Sequence, residues 1–133
     1  MQYWLMKSEP ESYSWDDLVR DKGAEWDGVR NAAAAKHLKS MRVGDNAFLY
    51  HSGKQKAVIG IMEIARTAQQ DGPDPRWVSV AVIPLAPLPR PVPLGEIRAE
   101  PALAGMAMLR QSRLSVSPVA PAEWEAIRAL AAR

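Results

Sequence analysis

Cysteine is absent from this sequence. That removes disulfides, thiolate metal ligands and a cysteine nucleophile together, and it fits a reducing compartment. Histidine is nearly absent too. His37 and His51 are the only two, and no carboxylates stand at ligand spacing around them, so no metal site is expected. No apolar run approaches the ~20 residues of a bilayer-spanning helix. The apolar stretch within Met1–Lys7 is too short for a signal peptide, so a cytosolic protein without membrane contact is expected. No Gly-rich loop follows a strand and opens a helix, which leaves no phosphate-loop or dinucleotide fingerprint and no expected cofactor. Clustered charge is also missing. A net charge of +2 permits a nucleic-acid partner without demanding one.

What is present suits a single domain. A chain of 133 residues, 47% of them hydrophobic, buries roughly two-thirds of the surface that its unfolded state exposes. Five tryptophans stand against one phenylalanine. A buried indole needs a partner for its N–H, and an accessible one is a preferred platform for stacking on bases.

Along the chain, Gln2 to Lys7 alternates large apolar side chains and reads as a strand. Ser14 and Asp17 form a capping-box pattern that opens a short helix with Trp15, Leu18 and Val19 inward. Asn31 is a natural N-cap for a second helix, on which Ala34, Leu38 and Met41 share a stripe before Gly44-Asp45 turns the chain. Strands are predicted over Asn46 to His51, Ala57 to Arg66 and Trp77 to Ile83, with Ser52 to Gln55 as the turn between the first two. The second and third of these are apolar on both faces, as when a sheet curls closed or lies under helices. Five prolines between Pro84 and Pro93 read as a stiff connector over the sheet. A short helix near Leu94 to Ala99, a turn or two to Leu109 and a strand over Arg113 to Ser117 follow. Pro121 then opens a last helix with Trp124, Ile127 and Leu130 inward. The fold class is α+β, built on a small, mostly antiparallel barrel of five or six strands with helices around it.

Three segments could carry chemistry. Lys7-Ser8-Glu9-Pro10 closes the first strand. Pro10 ends sheet pairing there, so Ser8 stands at a strand mouth, either as a polar clamp or as an ordinary solvated strand end. Trp26-Asp27-Gly28-Val29-Arg30-Asn31 combines an aromatic, a flexible glycine and a helix start, either to hold a ligand or to anchor a loop around a buried tryptophan. Tyr50-His51-Ser52 lies on a strand, where neighbours point to opposite faces. A local Ser–His dyad is therefore excluded, and His51 is either a pocket residue or a satisfied structural one. Lys36, Lys39 and Arg42 form a solvated face able to meet phosphates.

Taken in order, Tyr3 to Pro10, Trp26 to Asn31, Gly44-Asp45, Tyr50-His51-Ser52, Pro75-Arg76-Trp77 and Arg113 to Val116 resemble the EVE domain family, a branch of the PUA-like barrel folds. The YTH readers of methylated adenine are similar at greater distance, with a Lys-Ser at the end of their first strand. The resemblance spans nearly the whole chain, and its first two motifs are specific. It implies a reader that captures a modified base of DNA or RNA, with methylated or hydroxymethylated cytosine foremost. It implies a base pocket of Ser8, Trp26, Asn31, His51 and Ser52, with Trp77 as a further wall and Lys7, Arg30 and Arg113 near the phosphates. After Asn31 this chain carries Ala32 to Ala35 where the family commonly has Tyr-Gln-Ala-Arg.

A captured base must leave its stack. Stacking on Trp26 returns ~1–3 kcal/mol of that cost, while one buried methyl adds only about 0.8 kcal/mol. Sharp selectivity therefore needs hydrogen bonds that a wrong base leaves unpaired. Replacing Trp26 by Ala is expected to abolish base preference with the fold intact. The competing readings are a small hydrolase using Ser8 or His51, for which no nucleophile–base spacing is present, and an interaction module docking through the proline-rich segment.

Overall fold

The computed structural model describes all residues from Met1 to Arg133. Six strands and five helices follow in the order β1 (Tyr3–Ser8), α1 (Trp15–Asp21), β2 (Ala24–Trp26), α2 (Ala32–Ser40), β3 (Asn46–His51), β4 (Ala57–Gln70), β5 (Val78–Pro93), α3 (Leu94–Ala99), α4 (Ala107–Arg110), β6 (Val116–Val119) and α5 (Pro121–Ala131), with a 3-10 turn at Pro101–Leu103. The strands form one sheet in the order β2-β5-β4-β3-β1-β6. Only the β1–β3 pair is parallel. No helix is long and apolar enough to cross a membrane.

The period of two along β1 explains why the sheet is apolar on both faces. Trp4 and Met6 point into a core shared with Trp15, Leu18, Trp26 and Leu38, under α1 and α2. Leu5 points the other way, into a core with Phe48, Val92, Ile97 and Ile127 under α3 and α5. There Trp124 stacks between Tyr3 (ring centroids 4.4 Å apart) and Phe48 (3.8 Å). Both capping residues act as expected. Ser14 and Asp17 form a reciprocal capping box, and the Asn31 side chain accepts from the Ala34 N–H. Val19 departs from expectation and is exposed, because only Trp15 and Leu18 of α1 face the sheet.

Two expectations are corrected. The proline-rich stretch is no connector; it is the second half of β5 and pairs with β4 from Pro84 to Pro93. The reason lies in which side of β5 is occupied. Its far side pairs with β2 only between Val80 and Val82. Beyond that point it is a free edge, where proline's missing N–H costs no ladder bond, and β4 shifts register at four places along this pairing. The sheet also does not close. β2 and β6 remain unpaired edges, three and four residues long, and α2 packs across the opening onto β4, β5 and β6.

Gly60 shows how tightly α1 is seated. A Cβ there would lie 2.6 Å from the Trp15 ring, whose neighbouring atoms are at 2.7 and 2.8 Å. Gly60→Ala is expected to force Trp15 off β4 and to cost about 1–3 kcal/mol by overpacking. Chemical denaturation midpoints compared with wild type would measure it, and an unchanged midpoint would show that the indole moves freely.

Candidate nucleic-acid interface

The opening left by the unclosed sheet contains a cleft of about 380 Å³. The end of β1 supplies Lys7 and Ser8, β2 supplies Glu25 and Trp26, and the following loop supplies Asp27, Gly28 and Arg30; Tyr13 and Ser115 complete it. The two sides are held by backbone bonds. Lys7 N–H donates to the Ser115 carbonyl at 2.9 Å, extending the β1–β6 ladder to the rim. On the opposite side β2 is zipped to β5.

The loop after Trp26 is clamped from outside. Gly28 adopts φ +75, a left-handed conformation that suits glycine. Its N–H donates to Asp71 Oδ2 at 2.8 Å, and Arg30 Nη1 reaches the same oxygen at 2.9 Å. These two donors hold the Asp71 carboxyl below its usual pKa. Arg30 also lies 5.8 Å from the Trp77 ring centroid, and Arg76 lies 5.0 Å from it. Trp77 therefore supports a cleft arginine from behind and is not itself among the cleft residues.

Inside the cleft the polar groups sort by what they already bind. Ser8 Oγ donates to the Tyr13 carbonyl at 2.6 Å, which uses its only proton and leaves its lone pairs free to accept. Glu25 is gripped by Arg66 through two bonds, at 2.6 and 2.9 Å, and accepts from Ser79 Oγ at 2.9 Å. Asp27 is exposed, and its carboxylate makes no hydrogen bond or ion pair within the chain. Tyr13 is held as a neutral phenol. Burial and its hydrogen bond to Asp21 push its pKa up to about 12. Trp26 is only 8% exposed and belongs to the core beneath α1 and α2, so it forms a wall of the cleft that is also structural. The expectation that Trp26→Ala leaves the fold intact is therefore corrected.

The other residues implied by the resemblance lie elsewhere. His51 is 6% exposed, and both ring nitrogens are engaged: Nε2 accepts from the Trp15 N–H at 3.0 Å, and Nδ1 faces Gln55 Oε1 at 2.7 Å. The first bond requires the proton on Nδ1. Ser8 and His51 are register neighbours on β1 and β3, yet the serine proton goes to a carbonyl and no imidazole nitrogen is free to take it. Ser52 lies on the far side of the sheet with Tyr50, as alternation along β3 requires. Asn31 caps α2 and, with Arg113, lines a separate shallow hollow. No group of three His, Asp or Glu comes together in metal-binding geometry.

Tyr13, Glu25 and Asp27 are among the cleft residues to which sequence reasoning gave no role. Asp27 stood inside a segment already singled out and carried a signal, an acid between an aromatic and a glycine. Tyr13 carried none beyond its place just before the capping box.

The chain has relatives across its whole length. The EVE domain model matches residues 2–130. Thymocyte nuclear protein 1 of Mus musculus is 35% identical over 164 aligned positions, covering 96% of this chain and 73% of the mouse protein. A solved protein of Rhodopseudomonas palustris superposes with a TM-score of 0.94 at 44% identity, covering 99% of this chain and 94% of that one. The human THYN1 protein, solved in complex with 5-methylcytosine containing DNA, superposes with a TM-score of 0.93 at 29% identity, covering 100% of this chain and 99% of the human one. This chain belongs to the EVE domain family.

Proposed function

We infer that this chain is a modified-base reader of DNA that takes one flipped base into the cleft between the end of β1 and β2. The observation that carries this is the cleft itself. An aromatic wall, a free hydroxyl lone pair and a free carboxylate converge where the sheet fails to close. A relative matching the full chain was solved with 5-methylcytosine DNA, which supports the same ligand class here. Trp26 and Tyr13 supply apolar and aromatic surface for the ring. Arg30, presented by Asp71 and Trp77, stands at the rim for a phosphate.

Asp27 supplies the selectivity that methyl burial alone cannot. A carboxylate accepts from the exocyclic amine of cytosine, whereas thymine offers a carbonyl there and would meet it with repulsion. The site thus favours amino bases by hydrogen bonding and the methylated form by apolar contact. Ser8 and His51 are each committed to backbone partners, which argues against a hydrolase built on that pair.

The test is direct binding of the purified protein to matched DNA and RNA oligonucleotides carrying cytosine, 5-methylcytosine, 5-hydroxymethylcytosine, thymine or N6-methyladenine at one salt concentration. A preference for a modified cytosine in DNA is expected, and equal salt-sensitive binding to every strand would reduce the cleft to a phosphate-binding surface. Asp27→Asn is expected to lower the preference for methylcytosine over thymine by about tenfold, since one such contact is worth ~1–3 kcal/mol of discrimination. If both preferences survive that substitution, Asp27 does not read the base.

A further inference from the structure

Lys7 borders both the base cleft and the opposite face of the sheet, where its ammonium reaches the Ser112 carbonyl. There a second cleft of about 310 Å³ opens, lined among others by Lys7, Tyr50, Ser52, Lys56, Arg98 and Ser112. Three cations line it and no carboxylate does. Lys7 Nζ donates to the Ser112 carbonyl at 2.8 Å and lies 5.7 Å from the Tyr50 ring centroid. The side chains of Lys56 and Arg98 make no hydrogen bond or ion pair, whereas Arg20, Arg30, Arg66, Arg76 and Arg90 are all paired with acids. On α3 the acid Glu96 is already held by Arg90.

The cations are placed by the backbone. The Lys56 carbonyl accepts from the Leu94 N–H at 2.8 Å, which ties the β3–β4 loop to the start of α3, the helix that carries Arg98. Lys56 itself sits at φ +47, a left-handed conformation in which glycine would be less strained. Burial pulls the Lys7 ammonium below its usual pKa. Like charges gathered without a counterion disfavour one another, and an anion in their midst reverses that.

We propose that this second cleft seats a backbone phosphate of the same nucleic-acid strand whose flipped base occupies the first cleft. The proposal rests on the reader assignment for the identity of the strand. Consecutive residues of β1 serve the two clefts, so a strand crossing the end of β1 meets both. Two fixed points, a base on one side and a phosphate on the other, would set strand polarity and hold the base in register.

The test uses the full chain with Lys56→Gly, Arg98→Ala and the double variant. The glycine substitution suits the local backbone, so loss of binding is separable from loss of fold by thermal unfolding. Oligonucleotides carrying one 5-methylcytosine are titrated across salt concentrations, with each neighbouring phosphate replaced in turn by a neutral methylphosphonate. The double variant is expected to bind about tenfold more weakly at low salt, with a salt slope reduced by about 0.7–0.9, the signature of one lost phosphate contact. Its preference for methylcytosine over cytosine stays as in wild type. One methylphosphonate position should weaken wild type and leave the double variant unaffected. Wild-type affinity and slope in the double variant overturn the proposal. So does a double variant that keeps wild-type oligonucleotide binding but no longer binds inorganic phosphate in a parallel titration, which would assign the cleft to free phosphate. If wild type shows no methylcytosine preference but the variants still lose the phosphate contact, the reader assignment fails and the phosphate site stands.

Discussion

Asp45→Ala is expected to destabilise the protein by about 1–3 kcal/mol, the cost of leaving a buried donor without its partner. Asp45 is 3% exposed. Its Oδ1 accepts from the Gln2 N–H at 3.1 Å, and its Oδ2 accepts from the Trp4 indole and the Arg42 N–H, both at 3.0 Å. One side chain thus joins the entry of β1, the segment leaving α2 and the start of β3. Alanine leaves the buried Trp4 indole N–H without its partner at a cost of about 1–3 kcal/mol, while the Gln2 and Arg42 N–H groups lie nearer the surface, where water replaces part of the loss. A stability of 5–15 kcal/mol is typical of such domains, so the variant should unfold at a lower denaturant concentration with little change in m-value. An unchanged midpoint would mean that solvent replaces the carboxylate readily.

The same residue gives a pH dependence with a definite sign. Burial alone would raise the Asp45 pKa, but the hydrogen bonds from Arg42, Trp4 and Gln2 outweigh it and hold the folded value below the usual 3.8. A group depressed in the folded state contributes stability that is present above its unfolded pKa and lost as pH falls through its folded pKa. Wild type should therefore lose this contribution progressively below about pH 4. Asp45→Asn, which cannot titrate, should start less stable at pH 7 and show a shallower loss on acidification. Equal acid sensitivity in both proteins would place the effect elsewhere.

Much of the local structure could be read from residue order. The Ser14–Asp17 capping box, the Ala34–Leu38–Met41 stripe and the Trp124–Ile127–Leu130 face are set by neighbours within two turns of helix, and all occur. What escaped depended on distant partners. β2 is three residues long and exists only because β5 offers an edge. The prolines of β5 are admissible only because that edge ends at Val82. Trp26 to Arg30 line the cleft between β1 and β2, but the division of labour within the Trp26 to Asn31 segment was not legible. Asn31 as a cap and Asn31 as a ligand make the same demand on sequence, and only the bond to the Ala34 N–H separates them. His51 is similar: a buried imidazole bridging α1 and the β3–β4 loop looks, in sequence, like any candidate base. The Gly44-Asp45 pair was legible as a turn but not as a network, since Trp4 and Asp45 are 41 residues apart.

Trp26→Ala should produce the largest combined effect, on stability and on binding together. With 8% of its surface exposed and its ring packed in the core under α1 and α2, the substitution is expected to cost about 3–5 kcal/mol of stability. Affinity for a methylcytosine strand should also fall, since a stacking partner is worth ~1–3 kcal/mol per base. The two losses are separable because a preference is a ratio. The affinities for methylcytosine and cytosine strands, measured on one preparation, carry the same folded fraction, which cancels. If Trp26 forms the wall against which the methyl group packs, the wild-type ratio should exceed the roughly fourfold that one buried methyl provides. It should then collapse towards one in the alanine variant, with Trp26→Phe in between and better folded. If the ratio survives while stability falls, Trp26 is a core residue whose edge happens to reach the cleft. The aromatic surface that reads the base would then be Tyr13, fixed across the same cleft by the Ser8 hydroxyl on its carbonyl and by Asp21 on its phenol.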